Sequence, residues 1–367
     1  MAYFDPTRPS QREESLPRSV RVLVVDDSAY IRFTLGRYLG AVPGIEVVGA
    51  AHDGLEALEL IARLQPDVVT LDIQMPKMDG LSTLREIMAR HPLPVIMLSS
   101  LTTEGAAETV QALTWGAVDF VAKPSARANV AAIADEVVSK VLTAAYARVN
   151  VAPLNYQLPS PPRRVAAGGI TAVKPHRPLR AGDKVVVIGA STGGPRALNT
   201  VVANLPADLE AAVLIVQHMP AGFTQSLAER LNSVSMLSVK EAEEGDMLEI
   251  GRVLLAPGGY HMRVEADRIA LNQKPTAHGV RPAVDVTMTS VAQMYGGDSI
   301  GVVLTGMGYD GTNGAALIHS TGGTVIAEDE STCVVWGMPR SVAEAGVADV
   351  IAPLPEIAQA IVNAVGE

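Results

Sequence analysis

The stretch RVLVVDDS, residues 21–28, decides the fold of the first part of the chain. Four successive apolar residues are typical of a strand buried on both faces of a parallel sheet, and the two aspartates mark its end. The next segment, AYIRFTLGRYLG at 29–40, has the apolar spacing of an amphipathic helix. A buried strand followed directly by a helix is the repeating unit of an α/β fold.

The same alternation continues to about residue 147. Further strands are predicted at 45–51, 67–72, 94–100 and 118–123, and further helices at 54–64, 81–90, 106–116 and 129–147. Five strand–helix units of this length predict a doubly wound parallel sheet, which we place in a first domain at residues 20–147. Residues 1–19 are polar and contain proline, so we expect a disordered tail there.

A second α/β series follows a segment at 148–182 that is rich in Pro, Gly and Arg and is predicted to be a linker. This second domain, at 183–367, is larger and less regular, and we again expect a doubly wound parallel sheet. The pattern predicts strands at 184–191, 211–219, 237–242, 252–258, 268–272, 298–308 and 323–329, and helices at 194–204, 222–232, 284–296, 311–321, 338–345 and 354–365.

Composition narrows the class of protein. The formal net charge of −10 argues against a nucleic-acid partner or an anionic membrane surface. The chain has no apolar run of about 18 residues and no hydrophobic signal core, so we expect a cytoplasmic protein with no membrane insertion. The single cysteine, Cys333, excludes an internal disulfide, and its apolar neighbours favour a packed small side chain over a nucleophile.

Three carboxylates stand where strands of the first domain end. Asp26 and Asp27 follow the first strand, and Asp72 ends the third. Functional groups gather at the carboxyl ends of parallel strands, and crowded carboxylates favour a bridging Mg²⁺ ion. One of them could then attack a phosphoryl group, which Ser99 and Lys123 at two further strand ends could bind. Each residue alone could be a helix cap or a solvated lysine, so the hypothesis depends on the set.

Four motifs of the first domain together resemble the response-regulator receiver family: VLVVDDS, LDIQMPKMDG, VIMLSS and FVAKPS, at 22–28, 71–80, 95–100 and 120–125. The resemblance implies that Asp72 accepts the phosphoryl group and that Mg²⁺ is held by Asp26, Asp27, Asp72 and the backbone carbonyl of Gln74. It implies that Ser99 and Lys123 sense the phosphoryl group and that the Lys123–Pro124 peptide is cis. Phe120 matches the family's aromatic switch position, although an ordinary core phenylalanine fits the sequence equally well.

In the second domain, VVVIGASTGGP at 185–195 places Ser191 between a strand and a helix. Backbone N–H groups at a helix N-terminus can stabilise an oxyanion, so Ser191 is a candidate nucleophile. A helix N-cap or a nucleotide loop is the alternative. The stretch has neither the Gly-Lys-Ser/Thr of a phosphate-binding loop nor the glycine spacing of a dinucleotide site, whereas GASTG fits a hydrolase elbow formally.

A base and an acid are needed beside such a serine. His218 ends the next strand and is the preferred base, with His261 and His278 near glycine-rich loops as rivals. Asp310 follows the strand at 298–308 and is the preferred acid, while Asp285 at a helix start is the second candidate. Both aspartates could instead be helix caps.

Five motifs of this domain look like the chemotaxis protein-glutamate methylesterase (CheB) family: GASTGGP, QHMP, APGGYHM, RPAVDV and TGMGYDG. The resemblance implies a Ser191–His218–Asp310 triad, with the backbone of Thr192 and Met307 at the oxyanion site and no metal in this half. The implied reaction is hydrolysis of γ-glutamyl methyl esters on chemoreceptors, together with receptor glutamine deamidation.

The same resemblance implies regulation. In this family the unphosphorylated receiver packs over the active site, and phosphorylation by a chemotaxis histidine kinase uncovers it. We expect methylated chemoreceptor cytoplasmic domains as substrate and a monomeric protein. The alternatives are a catalytically inactive scaffold of the same fold, a receiver with a DNA-binding output, and a nucleotide-dependent oxidoreductase.

Overall fold

The computed structural model describes residues 19–100, 102–123, 130–149 and 176–366. The chain divides into two compact units, and each is described by itself. Three predictions lie wholly or mainly outside the described residues: the disordered tail, the linker up to residue 175 and the cis peptide at Lys123–Pro124. Among the described residues, no helix has the length and apolar character needed to cross a membrane.

The first sheet has five parallel strands: Val20–Val25 (β1), Ile45–Ala51 (β2), Val68–Asp72 (β3), Val95–Ser100 (β4) and Asp119–Lys123 (β5). Their order across the sheet is β2-β1-β3-β4-β5. They alternate along the chain with helices Ala29–Gly40 (α1), Gly54–Leu64 (α2), Gly80–Arg90 (α3), Thr103–Trp115 (α4) and Val130–Ala145 (α5). The predicted doubly wound α/β fold of the first domain is therefore confirmed.

The strand order reverses between β1 and β3, and this is where an open parallel sheet forms a binding crevice. The two strands pair in register from Val22↔Val68 to Val25↔Leu71. Asp26 and Asp72, each one residue further on, therefore lie side by side at the carboxyl edge.

The second sheet has seven strands: Lys184–Ala190 (β7), Ala211–Gln217 (β8), Ser238–Glu241 (β9), Arg252–Leu255 (β11), Ser299–Val303 (β14), Thr324–Glu328 (β15) and Val350–Ala352 (β16). Their order is β16-β15-β14-β7-β8-β11-β9, and all the recorded pairings are parallel. The helices are Gly194–Ala203 (α6), Phe223–Val234 (α7), Val284–Tyr295 (α8), Thr312–Ser320 (α9), Met338–Glu344 (α10) and Leu354–Gly366 (α11), with a 3₁₀ turn at Gly296–Asp298.

Strand β7 lies at the centre of this sheet, between β14 and β8. From β7 the chain builds one half of the sheet through β8 and then returns to build the other half through β14, so the strand order reverses here too. Residues 185–188 of β7 are fully buried, because helices cover both faces of a parallel sheet.

Two small antiparallel pairs complete this unit. Arg177–Pro178 (β6), within the predicted linker, pairs with Glu249–Ile250 (β10). His261–Glu265 (β12) pairs with Arg268–Asn272 (β13), and only β13 was predicted from the sequence. The predicted strand at 298–308 is shorter in the structure, because β14 ends at residue 303 and the chain then turns.

Candidate functional site

Ser191 is the first residue after β7, at the edge where the strand order reverses. Its N–H donates to Thr305 O at 3.0 Å, and its own carbonyl accepts from Gly194 N at 2.8 Å. The N-cap of α6 is Gly193, with φ of 79°, so Ser191 does not occupy the cap position. The sequence alternative of a simple N-cap serine is therefore wrong, and Ser191 lies two residues before the N-cap of α6.

The turn after β14 comes into close contact with Ser191. A Cβ atom built on Gly306 would lie 2.7 Å from Ser191 Cβ and 2.5 Å from Met338 Sδ, so only glycine fits there. The hydroxyl of Thr305 donates to Thr192 O at 3.0 Å. The two segments predicted to supply the oxyanion donors, at Thr192 and Met307, thus lie on turns that contact each other.

His218 pairs with Asp310: His218 Nε2 lies 2.7 Å from Asp310 Oδ2. Both side chains are largely buried, with 10% and 3% of their surface exposed. The His218 residue follows β8, and its N–H donates to Ala190 O at 3.1 Å. The preferred base and the preferred acid are therefore in direct contact, next to the strand that carries Ser191.

A buried glutamine connects the serine and histidine turns. Gln217 Nε2 donates to Ser191 O at 2.9 Å and to His218 O at 3.2 Å. Gln217 is only 2% exposed. One side-chain amide thus links the turn after β7 to the turn after β8 at the carboxyl edge of the sheet.

Asp310 accepts three backbone hydrogen bonds besides the contact with His218. They come from Val284 N at 2.7 Å, Asp285 N at 2.9 Å and Gly311 N at 2.9 Å. Burial alone would raise the pKa of Asp310, but the hydrogen bond and charge of His218, together with the amides of Asp285 and Val284, hold this pKa below its ordinary value. Asp310 is therefore ionised at neutral pH and can orient the imidazole of His218.

The rival residues lie beside this pair. His278 Nε2 is 2.8 Å from Asp285 Oδ2 and 3.8 Å from Asp310 Oδ1. His261 is buried, and its Nε2 lies 3.1 Å from Pro275 O. The preference for His218 and Asp310 matches the observed contact, but the sequence did not indicate that a second histidine–aspartate pair adjoins it. Both members of that pair were named from the sequence, His278 as a rival base and Asp285 as the second candidate acid, but nothing in the sequence indicated their contact with each other.

A buried glutamate supports the turn after β14. Glu328 Oε2 accepts from Thr305 N at 2.8 Å, and Oε1 accepts from Thr332 Oγ1 at 3.0 Å. Burial raises the pKa of Glu328 above its ordinary value, although these hydrogen bonds oppose the shift. Cys333 is buried nearby, with Sγ 3.8 Å from Glu328 O, which agrees with its interpretation as a packed side chain.

The first unit holds the predicted acidic cluster. Carboxylate oxygens of Asp26, Asp27 and Asp72 lie within 4.8 Å of one another. Lys123 Nζ lies 2.7 Å from both Asp26 Oδ2 and Asp72 Oδ1. Burial, together with the charges of Asp26 and Asp27, raises the pKa of Asp72 to about 6 against the opposing effect of Lys123.

This donor set fits a hard divalent cation, since three carboxylates of the cluster can offer oxygen to one ion. Ser99 and Phe120 are buried in strands β4 and β5, and Gln74 is exposed in the loop after β3. The structure therefore brings the three aspartates and Lys123 together. The roles of Ser99, Phe120 and Gln74 stay predictions.

Comparisons with known proteins match both units. A model of the CheB methylesterase family matches residues 186–361, and a model of the response regulator receiver domain matches residues 22–135. A protein-glutamate methylesterase/protein-glutamine glutaminase of Symbiobacterium thermophilum is 54% identical, over 96% of this chain and 99% of its own length. One with the same name from Geobacillus kaustophilus is 49% identical, over 95% of this chain and 100% of its own length.

A solved structure is similar to about half of the chain. The crystal structure of the Thermotoga maritima CheB methylesterase catalytic domain is 48% identical, with a TM-score of 0.48. It covers 49% of this chain and 97% of that chain.

Proposed function

This chain belongs to the CheB methylesterase family, and we propose that its second domain hydrolyses γ-glutamyl methyl esters of chemoreceptors through Ser191, His218 and Asp310. The observation that carries the proposal is the 2.7 Å contact between His218 and Asp310 beside the strand that presents Ser191. The full-length match to relatives named protein-glutamate methylesterase supports the substrate class.

The geometry suggests how the base works. With Nε2–H donating to Asp310, the imidazole of His218 keeps Nδ1 as its acceptor for the Ser191 hydroxyl proton. Ser191 Oγ attacks the ester carbonyl, and His218 then returns the proton to the departing methoxide, so methanol leaves. Water attacks the acyl-serine by the same route and frees the glutamate. The backbone N–H groups of Thr192 and Met307 would stabilise the oxyanion.

The same site can deamidate glutamine. A primary amide differs from the methyl ester only in its leaving group, which departs as ammonia after His218 donates a proton. The relatives' names include protein-glutamine glutaminase, which supports this second reaction. We propose no metal or cofactor for either reaction.

We further propose that phosphorylation of Asp72 by a chemotaxis histidine kinase activates the esterase. Asp26, Asp27, Asp72 and the Gln74 carbonyl would hold Mg²⁺, which would neutralise charge on the phosphoryl group. Lys123 already lies 2.7 Å from Asp72 and could follow the phosphoryl oxygens, while Ser99 would hydrogen-bond them. Phe120 would respond to the change at Lys123, three residues further along β5. The substrate would be the methylated cytoplasmic domain of a chemoreceptor, and this protein would bind it as a monomer in the cytoplasm.

Methanol release from a methylated receptor tests both the ester hydrolysis at Ser191 and its activation through Asp72. The full-length protein should release methanol, and a small phosphodonor with Mg²⁺ should increase the rate. Ser191→Ala should lower the rate by at least about a thousandfold, whereas Ser233→Ala, on the exposed side of α7, should not. Asp72→Asn should abolish the stimulation. Full activity of Ser191→Ala would overturn the triad, and stimulation of Asp72→Asn would overturn the phosphoacceptor.

A further inference from the structure

Helices α8 and α9 cap each other's N-termini through two aspartates. Asp310, just before α9, accepts from Val284 N and Asp285 N in the first turn of α8. Asp285, in that same turn, accepts from Gly314 N at 2.7 Å and from Asn313 Nδ2 at 3.1 Å in α9. The position of Asp310, and hence of the His218 ring it contacts, is therefore tied to the position of Asp285.

His278 completes this arrangement. Its Nε2 lies 2.8 Å from Asp285 Oδ2, within hydrogen-bond distance, and 3.8 Å from Asp310 Oδ1, beyond it. The His278 ring also packs edge-on against Tyr309, with ring centroids 4.8 Å apart. His278 therefore contacts the residue before Asp310 and the carboxylate that fixes α9, and within the described residues no hydrogen bond or ion pair joins it to Ser191 or His218.

Carboxylate oxygens of Asp285 and Asp310 lie within 4.8 Å of each other. Two buried carboxylates at this distance repel each other unless hydrogen-bond donors surround them. Backbone amides supply donors to both, and His278 supplies a further one to the Asp285 oxygen that faces it. We propose that His278 is a positioning residue for the esterase reaction, which holds Asp285 in place and through it keeps Asp310 aligned with His218. This inference rests on the proposed function of Ser191, His218 and Asp310.

A matched pair of substitutions isolates the donor. Residue 278 has φ of 53°, a left-handed conformation that strains most side chains. Gln and Met are both unbranched at Cβ and similar in length, so the backbone strain of the two variants is similar, but only Gln carries an N–H that can reach the position of His278 Nε2. We expect His278→Met to lower kcat for methanol release about tenfold with KM unchanged, since small misalignments of catalytic groups lower rates steeply. His278→Gln should stay within about threefold of the wild-type protein.

A double mutant adds a second test. If His278 acts through Asp285, then Asp285→Asn should lower kcat, and adding His278→Met to it should cause little further loss. Equal loss in the Gln and Met variants, or a full additional loss in the double mutant, would overturn the proposal. A raised KM with unchanged kcat would do the same, because it would mean that the ring contacts substrate. If His278→Met fails to fold, a tenfold loss in His278→Gln would still refute the role as donor.

The labelling rate of Ser191 with a fluorophosphonate probe tests the positioning role of His278 separately from the proposed substrate. A wild-type protein that labels at Ser191 but releases no methanol contradicts the proposed substrate. The positioning role then remains testable, because the Met variant should label about tenfold more slowly than the Gln variant. Equal labelling of the two variants would overturn it.

Discussion

Replacing Asp310 by asparagine should abolish catalysis while leaving the site nearly unchanged in shape. The carboxylate accepts four hydrogen bonds: Oδ2 from His218 Nε2 and Val284 N, and Oδ1 from Asp285 N and Gly311 N. An asparagine must put an NH₂ group at one of these positions. At the Oδ1 position it would oppose two backbone N–H groups, which favours the Oδ2 position.

That orientation fixes the tautomer of His218. The NH₂ group of the substituted side chain would donate to Nε2, so the imidazole proton would move to Nδ1 and the ring could no longer accept the Ser191 proton. Loss of the correct tautomer in a Ser-His-Asp triad lowers kcat by about 10⁴, or about 5 kcal/mol in the activation barrier. The N–H of Val284 would lose its acceptor, which should destabilise the domain by about 1–3 kcal/mol.

Two measurements on full-length Asp310→Asn separate these effects. Methanol release under saturating substrate gives kcat, and urea unfolding gives the free energy of unfolding. Asp246→Asn is a matched control, because Asp246 accepts from Glu243 N and pairs with Lys240, and in the described part of the chain it forms no hydrogen bond or ion pair with the triad residues. The control should lose stability but keep its kcat. An Asp310→Asn protein with kcat within tenfold of the wild-type value would refute the assignment of Asp310.

Three further variants test other parts of the structure. Gly306→Ala places a methyl group 2.7 Å from Ser191 Cβ and should lower kcat for methanol release about a hundredfold. Gly297→Ala is the control, because its methyl group would come no closer than 3.5 Å to its nearest neighbour, Gly322 O, and it should keep kcat in the same assay. Glu328→Gln should be more stable to urea than the wild-type protein at pH 8, and this difference should shrink towards pH 4.5. Because the pKa of Glu328 is raised in the folded protein, the wild-type protein loses stability as the pH rises and the carboxyl group ionises. A difference that grows towards pH 4.5 would contradict burial as the cause of the raised pKa. Lys123→Met removes the ammonium group that lies 2.7 Å from both Asp26 and Asp72. Without this group to bind the phosphoryl oxygens, phosphodonor-stimulated methanol release should fall about tenfold or more. Unchanged stimulation would exclude a role of Lys123 in sensing.

Both sheets were predictable because buried parallel strands leave a strong pattern. Runs such as VLVV at 22–25 and VVVI at 185–188 are typical of strands that are buried on both faces. The residues just after these strands, Asp26 and Ser191, then belong to the carboxyl edge by topology alone. For this reason the positions of both candidate sites followed from the sequence.

The hairpin of β12 and β13 could not be recognised in the same way. Its turn is formed by Ala266 and Asp267, both with positive φ, at 50° and 59°. Hairpin turns of this kind normally contain glycine or asparagine, so the sequence lacked the usual signal and β12 was missed. The contact of His278 with Asp285 depends on the path of the irregular segment at 273–283, which local patterns do not specify.

The exchange of caps between α8 and α9 limits how this enzyme can lose its activity during evolution. Most catalytic groups can drift once selection on the reaction is relaxed, because removing them often improves stability. Asp310 is different, since the same carboxylate satisfies the first amides of a second helix. A descendant that survives only as a scaffold should therefore lose Ser191 or His218 first, and should keep its aspartate long after the chemistry has gone.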